Sequence, residues 1–227
     1  MIMKISNFES EIIISDEYVR VLEIENKSLF ANIVQSIHSL CYNEEGKEYI
    51  VLIEEGKEIK FNKNVYFIMD ILSMDVNERK ILNKLYSSLK PCINLDMRNQ
   101  IDQYLRDILN FINRILIEIP LEFNYKTEIE LENIFKLYEI KLCTQDQSFI
   151  EKVFNIIDLI SLLDLYKVVV FCNIKSFFTD NEMEEIYKYI VYHKLHVILL
   201  EGNLVEKTLQ FEKKIRIDAD FEDYEIK

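Results

Sequence analysis

The sequence predicts an α/β protein: a head built on a mixed, largely parallel sheet, with an α-helical leg inserted into it. Three observations predict this class. Short apolar runs open the chain, and a long middle stretch places apolar residues at steps of three and four. Apolar strands then alternate with capped helices towards the C-terminus. The expected division is a head domain in residues 1–74 and 140–227 and a leg domain in residues 75–139.

The elements follow in order. Ile12–Ile14 and the alternating run Val19–Ile24 read as strands. From Ser28 to Cys41, Leu29, Ile33, Ile37 and Leu40 fall on one helical face. Tyr49–Ile53, a turn at Glu54-Glu55-Gly56-Lys57 and the apolar stretch Val65–Leu72 suggest a hairpin. Glu78–Lys90 reads as a helix broken by Pro91, and Leu95–Ile119 as a longer one ended by Pro120. At 1.5 Å per residue the longer helix runs about 36 Å, too long to cover one small sheet. That length suggests an arm or a subunit interface. A third helix over Glu130–Tyr138 returns along it, and Ile140–Cys143 reads as a short strand. Ser148…Glu151 and Thr179…Glu182 are capping boxes, opening helices that end near Tyr166 and His193. Val168–Cys172 and His196–Leu200 are apolar on both faces, as strands of a doubly covered parallel sheet are. Lys214–Ile217 adds an edge strand, and the acidic tail Asp218–Lys227 is expected to fray.

Composition narrows the function. Only 3 Gly and 2 Pro leave little material for flexible linkers. A net charge of −13 opposes binding of nucleic acid or anionic membrane by the whole surface, while leaving room for a local basic face. No apolar run reaches the length of a membrane span, and the N-terminus lacks a signal-peptide pattern. Cys41, Cys92, Cys143 and Cys172 form no CxxC, which reads as reduced thiols of a cytoplasmic protein.

The residues alone offer no catalytic centre. GxxxxGK[ST] and GxGxxG are both absent, and the strand Val168–Cys172 ends in Asn173 where a nucleotide hydrolase would place a magnesium-binding acid. A turn-capping role suits Asn173 better. His193 and His196 form an HxxH with Cys172 as the one nearby zinc ligand by chain order, and helix-end and strand packing explain both histidines. His38 reads as a half-buried surface residue. Two charged features remain. Lys57, Lys60 and Lys63, with Lys80, Lys84 and Lys90, could hold phosphates or simply form solvated faces. Glu118, Glu122, Glu128, Glu130 and Glu132 gather where the long helix ends. Such acids are either ligands for a hard cation or a solvated run.

Several stretches in fixed order then identify a resemblance. MDILSMDVNERKIL (Met69–Leu82), LEFNYKTEIELENIFKLYEIKL (Leu121–Leu142), FIEKVFNIIDLI (Phe149–Ile160), VVVFCNIKSFFTDNEMEEIYKYI (Val168–Ile190) and HVILLE (His196–Glu201) carry it. Together they resemble the ring-forming, DNA-end-binding accessory protein of type II-A CRISPR systems, which takes part in spacer acquisition. The resemblance implies an α/β head similar to phosphate-loop ATPases without a phosphate loop, and a helical leg. It implies a homotetrameric ring, not an enzyme, whose basic bore encircles double-stranded DNA ends. The implied partners are the CRISPR integrase complex and the type II effector nuclease, with no membrane and no nucleotide. Lys57, Lys60, Lys63, Lys80 and Lys84 are the implied DNA contacts. The family's structural Ca²⁺ maps to Glu118 and Glu122 with a shift towards Glu128, because Pro120 and Asn124 stand where the family carries Asp. Two other readings remain: a divergent NTPase and a protein-binding scaffold of the adaptation complex.

Overall fold

The computed structural model describes residues 1–6, 8–144 and 147–226. They form two compact units, one of Met1–Val76 with Thr144–Lys227 and one of Asn77–Cys143.

The first unit holds two sheets. In the larger, strands β3 (Val19–Ile24), β6 (Val65–Ile68), β7 (Val168–Cys172), β8 (His196–Glu201), β9 (Glu212–Ile217) and β10 (Asp223–Ile226) lie in the order β10-β9-β3-β8-β7-β6. All pairs are parallel except β9 with β10. Every residue of β3 is buried, as its place between β8 and β9 requires. The smaller sheet is antiparallel, with β1 (Ile2–Ile5), β2 (Ile12–Ile13), β4 (Ile50–Glu54) and β5 (Lys57–Ile59) in the order β2-β1-β4-β5.

Alternation along the strands sorts the core into two layers. Leu22, Ile24, Val168, Val170, Ile198, Leu200, Ile215 and Ile217 pack into one cluster with Leu29, Ile33 and Ile37 of helix α1 (Lys27–Cys41) and the apolar side of the small sheet. The opposite face carries Val21, Val169, Phe171, Val197 and Leu199. It is served by helices α6 (Phe149–Leu163) and α7 (Asp180–Tyr192), whose buried residues include Ile156, Ile160, Met183 and Ile186. Both capping boxes form: Ser148 and Glu151 open α6, and Thr179 and Glu182 open α7.

The structure corrects the sequence reading at several places. The hairpin closes on β5, not on the Val65–Leu72 stretch. Glu55 and Gly56 both take positive φ (50° and 77°), the geometry of a tight two-residue turn. A helical turn, α2 (Phe61–Asn64), then redirects the chain by burying Phe61, and Val65–Ile68 joins the other sheet as β6. Strand β1, which the sequence reading passed over, lies between β2 and β4. Lys214–Ile217 is no edge strand, because β10 covers it. The tail is tied rather than frayed: the Asp223 carboxylate accepts from the Glu9 and Ser10 amides at 2.8 Å each. Lys227 lies outside the described residues. Helix α6 stops at Leu163, where Asp164 adopts the left-handed conformation (φ 46°).

The second unit contains α3 (Arg79–Leu89), a 3₁₀ turn at Lys90–Cys92, α4 (Leu95–Ile117) and α5 (Leu131–Leu137). Helix α4 ends with Glu118 as its C-cap, ahead of Pro120. Ile81 and Tyr86 of α3 are buried. Tyr86 stacks obliquely on Phe135 of α5 and donates to the Ile140 carbonyl at 2.7 Å. Glu132 of α5 accepts from Ser87 and pairs with Lys90. Ile140–Cys143 forms no strand. The Asn77 side-chain amide binds both backbone groups of Leu142, at 2.8 and 3.0 Å, and so replaces a neighbouring strand.

Burial predicts a contrast in stability. Leu22→Ala removes a fully buried side chain and should cost about 2–5 kcal/mol in denaturant unfolding. Leu95→Ala, at a position 73% exposed, should stay within about 0.5 kcal/mol.

Candidate nucleic-acid interface

Lysines at the two implied phosphate-binding stretches are exposed. In the first unit, the β4–β5 turn presents Lys57 opposite Glu54, and Glu54 already pairs with Lys167. Lys60 caps α2 and Lys63 lies in its last turn.

In the second unit, α3 has the sequence RKILNKLYSSL, which contains no carboxylate. Its apolar positions turn inward on Ile81 and Tyr86, leaving Lys80, Asn83, Lys84 and Ser87 on one exposed face. Lysines four apart repel by about 0.2–0.5 kcal/mol on an isolated helix. Arg79, also exposed, is a cation of this helix that the sequence reading did not select.

The acids Glu118, Glu122 and Glu128 are exposed. Glu128 lines a cleft of about 620 Å³ together with Lys90, Arg98 and Arg106, so its charged neighbours include cations. Among the described residues, no three His, Cys, Asp or Glu side chains come close enough to hold a metal ion.

The C-terminal end of a parallel sheet is where open α/β proteins take their ligands. Here the protein's own groups fill it. Asn173 takes the left-handed conformation (φ 52°) and accepts from the Gly202 amide at 2.9 Å, a turn-capping role. At the start of α1, the Asn26 side chain accepts from the Ser28 and Leu29 amides at 3.0 and 3.1 Å. It thereby occupies donors that a phosphate would otherwise use.

Next to these groups lies a buried ionic cluster on the α7-facing side of the sheet. Glu23 of β3 lies in register with Glu201 of β8 and Arg216 of β9. Arg216 donates to the Glu23 carboxylate at 2.9 and 3.2 Å. The Lys214 ammonium is fully buried among four oxygens: Lys207 O (2.6 Å), Val205 O (2.7 Å), Glu23 Oε1 (3.2 Å) and Glu212 Oε1 (3.5 Å). Glu212 also accepts from Lys175 and Tyr187, at 2.8 Å each. Burial and the adjacent Glu212 carboxylate push the Tyr187 hydroxyl well above its ordinary pKa.

Glu201 has no such full set of partners. Burial, reinforced by the Glu23 charge and opposed by the Lys175 amide and ammonium, pushes its carboxyl up to about 7. Burial likewise raises the Cys172 thiol to about 11, which leaves it protonated and unreactive. His193 contacts Asp158 at 3.3 Å, and burial lowers the pKa of His196. Neither histidine joins a metal-ligating group among the described residues. Glu23 and Glu201 stand singly in apolar strands and give no local signal of this cluster. The E-K-K-I-R run at Glu212–Arg216, with charges two apart, was the available signal.

A mixed α/β sheet with a helical unit inserted between its strands, and with no phosphate loop, defines the class. The chain belongs to the family of CRISPR-associated proteins described as Cas_Csn2, whose model matches residues 41–221. Two relatives are described as CRISPR-associated protein Csn2. The one from Enterococcus faecalis is 24% identical over 197 residues, covering 86% of this chain and 88% of its own. The one from Streptococcus agalactiae is 25% identical over 183 residues, covering 80% of each. The crystal structure of Stu0660 of Streptococcus thermophilus shares the fold with a TM-score of 0.65 at 12% identity, covering 100% of this chain and 76% of that one. No helix among the described residues is long and apolar enough to cross a membrane.

The raised pKa of Glu201 sets a pH dependence. The folded protein holds this proton up to about pH 7, whereas an unfolded Glu releases it near 4.5. The folded state therefore binds more protons across that window, and stability falls as pH rises through it, by about 3 kcal/mol in total. Glu201→Gln should remove this component. The check is urea unfolding of both proteins from pH 4.5 to 8, read as the difference between the two curves.

Proposed function

We propose that this protein is a non-catalytic, sequence-independent binder of double-stranded DNA ends, working in the cytoplasm as a homotetrameric ring during CRISPR spacer acquisition. Family membership supports the CRISPR setting. The observation that carries DNA binding is α3: an eleven-residue helix without a single acid, in a chain of net charge −13, with Lys80 and Lys84 on its exposed face. Its cations would meet the phosphate backbone, which carries charge but no sequence information. Lys57, Lys60 and Lys63 would add contacts of the same kind. The proposed partners are the integrase complex and the effector nuclease of the same system.

Helix α4 supports assembly. None of its residues is buried, and Tyr104, Ile108, Phe111, Ile112 and Ile115 all lie open. A stripe of this size is characteristic of a surface covered by another chain. In a ring that chain is a second copy.

Mass, binding and mutational measurements test the proposal. Native mass measurement should give four copies, and gel shifts should show linear duplex bound and covalently closed circles of equal length excluded. A monomer, or equal affinity for circles, would overturn the ring. Lys80→Glu with Lys84→Glu should weaken duplex binding at least about tenfold for any sequence, since each lost phosphate contact removes one released counterion. Phe111→Asp should dissociate the assembly while the isolated subunit keeps its circular dichroism spectrum. An intact tetramer would exclude this face from the interface.

A further inference from the structure

Strands β8 and β9 flank β3 and run parallel to it. After β8 the chain must therefore return across a face of the sheet before β9 can begin. Such crossovers are usually helices, which satisfy their own backbone groups. The return through residues 202–211 contains no helix.

Between its ends this connection is held chiefly by charged side chains of the sheet. The Val205 amide donates to Glu23 at 3.2 Å, and its carbonyl accepts from Lys214 (2.7 Å) and Arg216 (3.3 Å). The Lys207 carbonyl accepts from Lys214 at 2.6 Å, and the Leu209 amide donates to Glu212 at 2.8 Å. Among the described residues, the strap's backbone-to-backbone bonding is confined to the Glu212 amide donating to the Leu209 carbonyl at 3.4 Å. On the outer side, Glu206 pairs with Arg216, and Lys207 with Asp180 of α7. Leu209 alone of residues 203–210 is buried; its neighbours from Asn203 to Thr208 are exposed. Apolar anchoring is thus confined to one side chain, while the strands beneath are among the most buried of the molecule.

We propose that residues 203–210 form a charge-latched flap that opens as a unit while the sheet beneath it stays folded, with Lys214 and Arg216 as the latch. Opening uncovers Glu23, Glu212 and the two latch cations on the α7-facing side of the sheet. Closing replaces water around these groups with the strap's own carbonyls and amides. The flap is independent of the DNA-binding reading, since it uses none of the same lysines.

Amide hydrogen exchange on the whole protein tests the flap. In the wild type, the Val205 and Leu209 amides should exchange at least about tenfold faster than those of Val21 and Leu199, as a sub-global opening requires. Equal protection would mean that the strap opens only by global unfolding, and would overturn the proposal. Arg216→Lys keeps the buried charge but loses the two-pronged contact with Glu23. It should lower protection of Val205 and Leu209 about a further tenfold with β3 and β8 unchanged. A uniform loss across strap and strands, or no change in the strap, would refute the latch. Trypsin nicking after Lys207 should accelerate in parallel in Arg216→Lys, and an unchanged nicking rate would count against the latch as well.

Discussion

The first unit turns on the position of β3. A strand from the start of the chain lies in parallel between two strands from its end. The crossover over β3 is not helical, so its carbonyls and amides need partners, and Glu23, Glu212, Lys214 and Arg216 supply them. Buried ion pairs alone are weak evidence for stability, because desolvation offsets their attraction. In this protein they answer a backbone requirement, which explains why Glu23, Glu212, Lys214 and Arg216 persist buried in the sheet. The same cluster lies near the end of the sheet where related architectures bind ligands, alongside Asn26 and Asn173, which engage backbone amides there.

A second constraint follows from connectivity. β3 and β6 precede the second unit in sequence, and β7, β8 and β9 follow it. The six-stranded sheet is therefore complete only when both chain segments are present, and the second unit behaves as an insertion. Its two chain ends are joined by the paired bonds between Asn77 and Leu142. Within it, α3 buries Ile81 and Tyr86, while no residue of α4 is fully buried. The apolar stripe of α4 is therefore left open within this unit, the feature on which the proposed assembly rests.

Much of this was legible in the sequence. The two capping boxes, β3, β7 and β8, and the long periodic helix each declare themselves through a strong local signal. What escaped was non-local. Residues Lys57–Ile59 and Val65–Ile68 are separated by one helical turn but join different sheets, and local patterning cannot specify that. The Ile140–Cys143 run reads as a strand, yet the backbone of Leu142 pairs with a side chain 65 positions away. The acidic tail reads as loose until Asp223 is seen to cap the Glu9–Ser10 backbone. The lysines of α3 were visible as candidates, and the helix's lack of acids sharpens that choice. The latch residues lie in the charged run Glu212–Arg216, which resembles a solvated edge strand until the strap covers it.

Charge ties sequence to function. The chain carries 27 Lys and Arg against 40 Asp and Glu, so any phosphate contact must come from local segregation rather than net attraction. Helix α3 shows such segregation. The most direct test is the affinity for a short linear duplex measured from 50 to 300 mM salt. Contacts with backbone phosphates predict a log–log slope steeper than about −2, at about −0.9 per neutralised phosphate, and the same for AT-rich and GC-rich duplexes. A slope near zero, or affinity that depends strongly on base sequence, would contradict it.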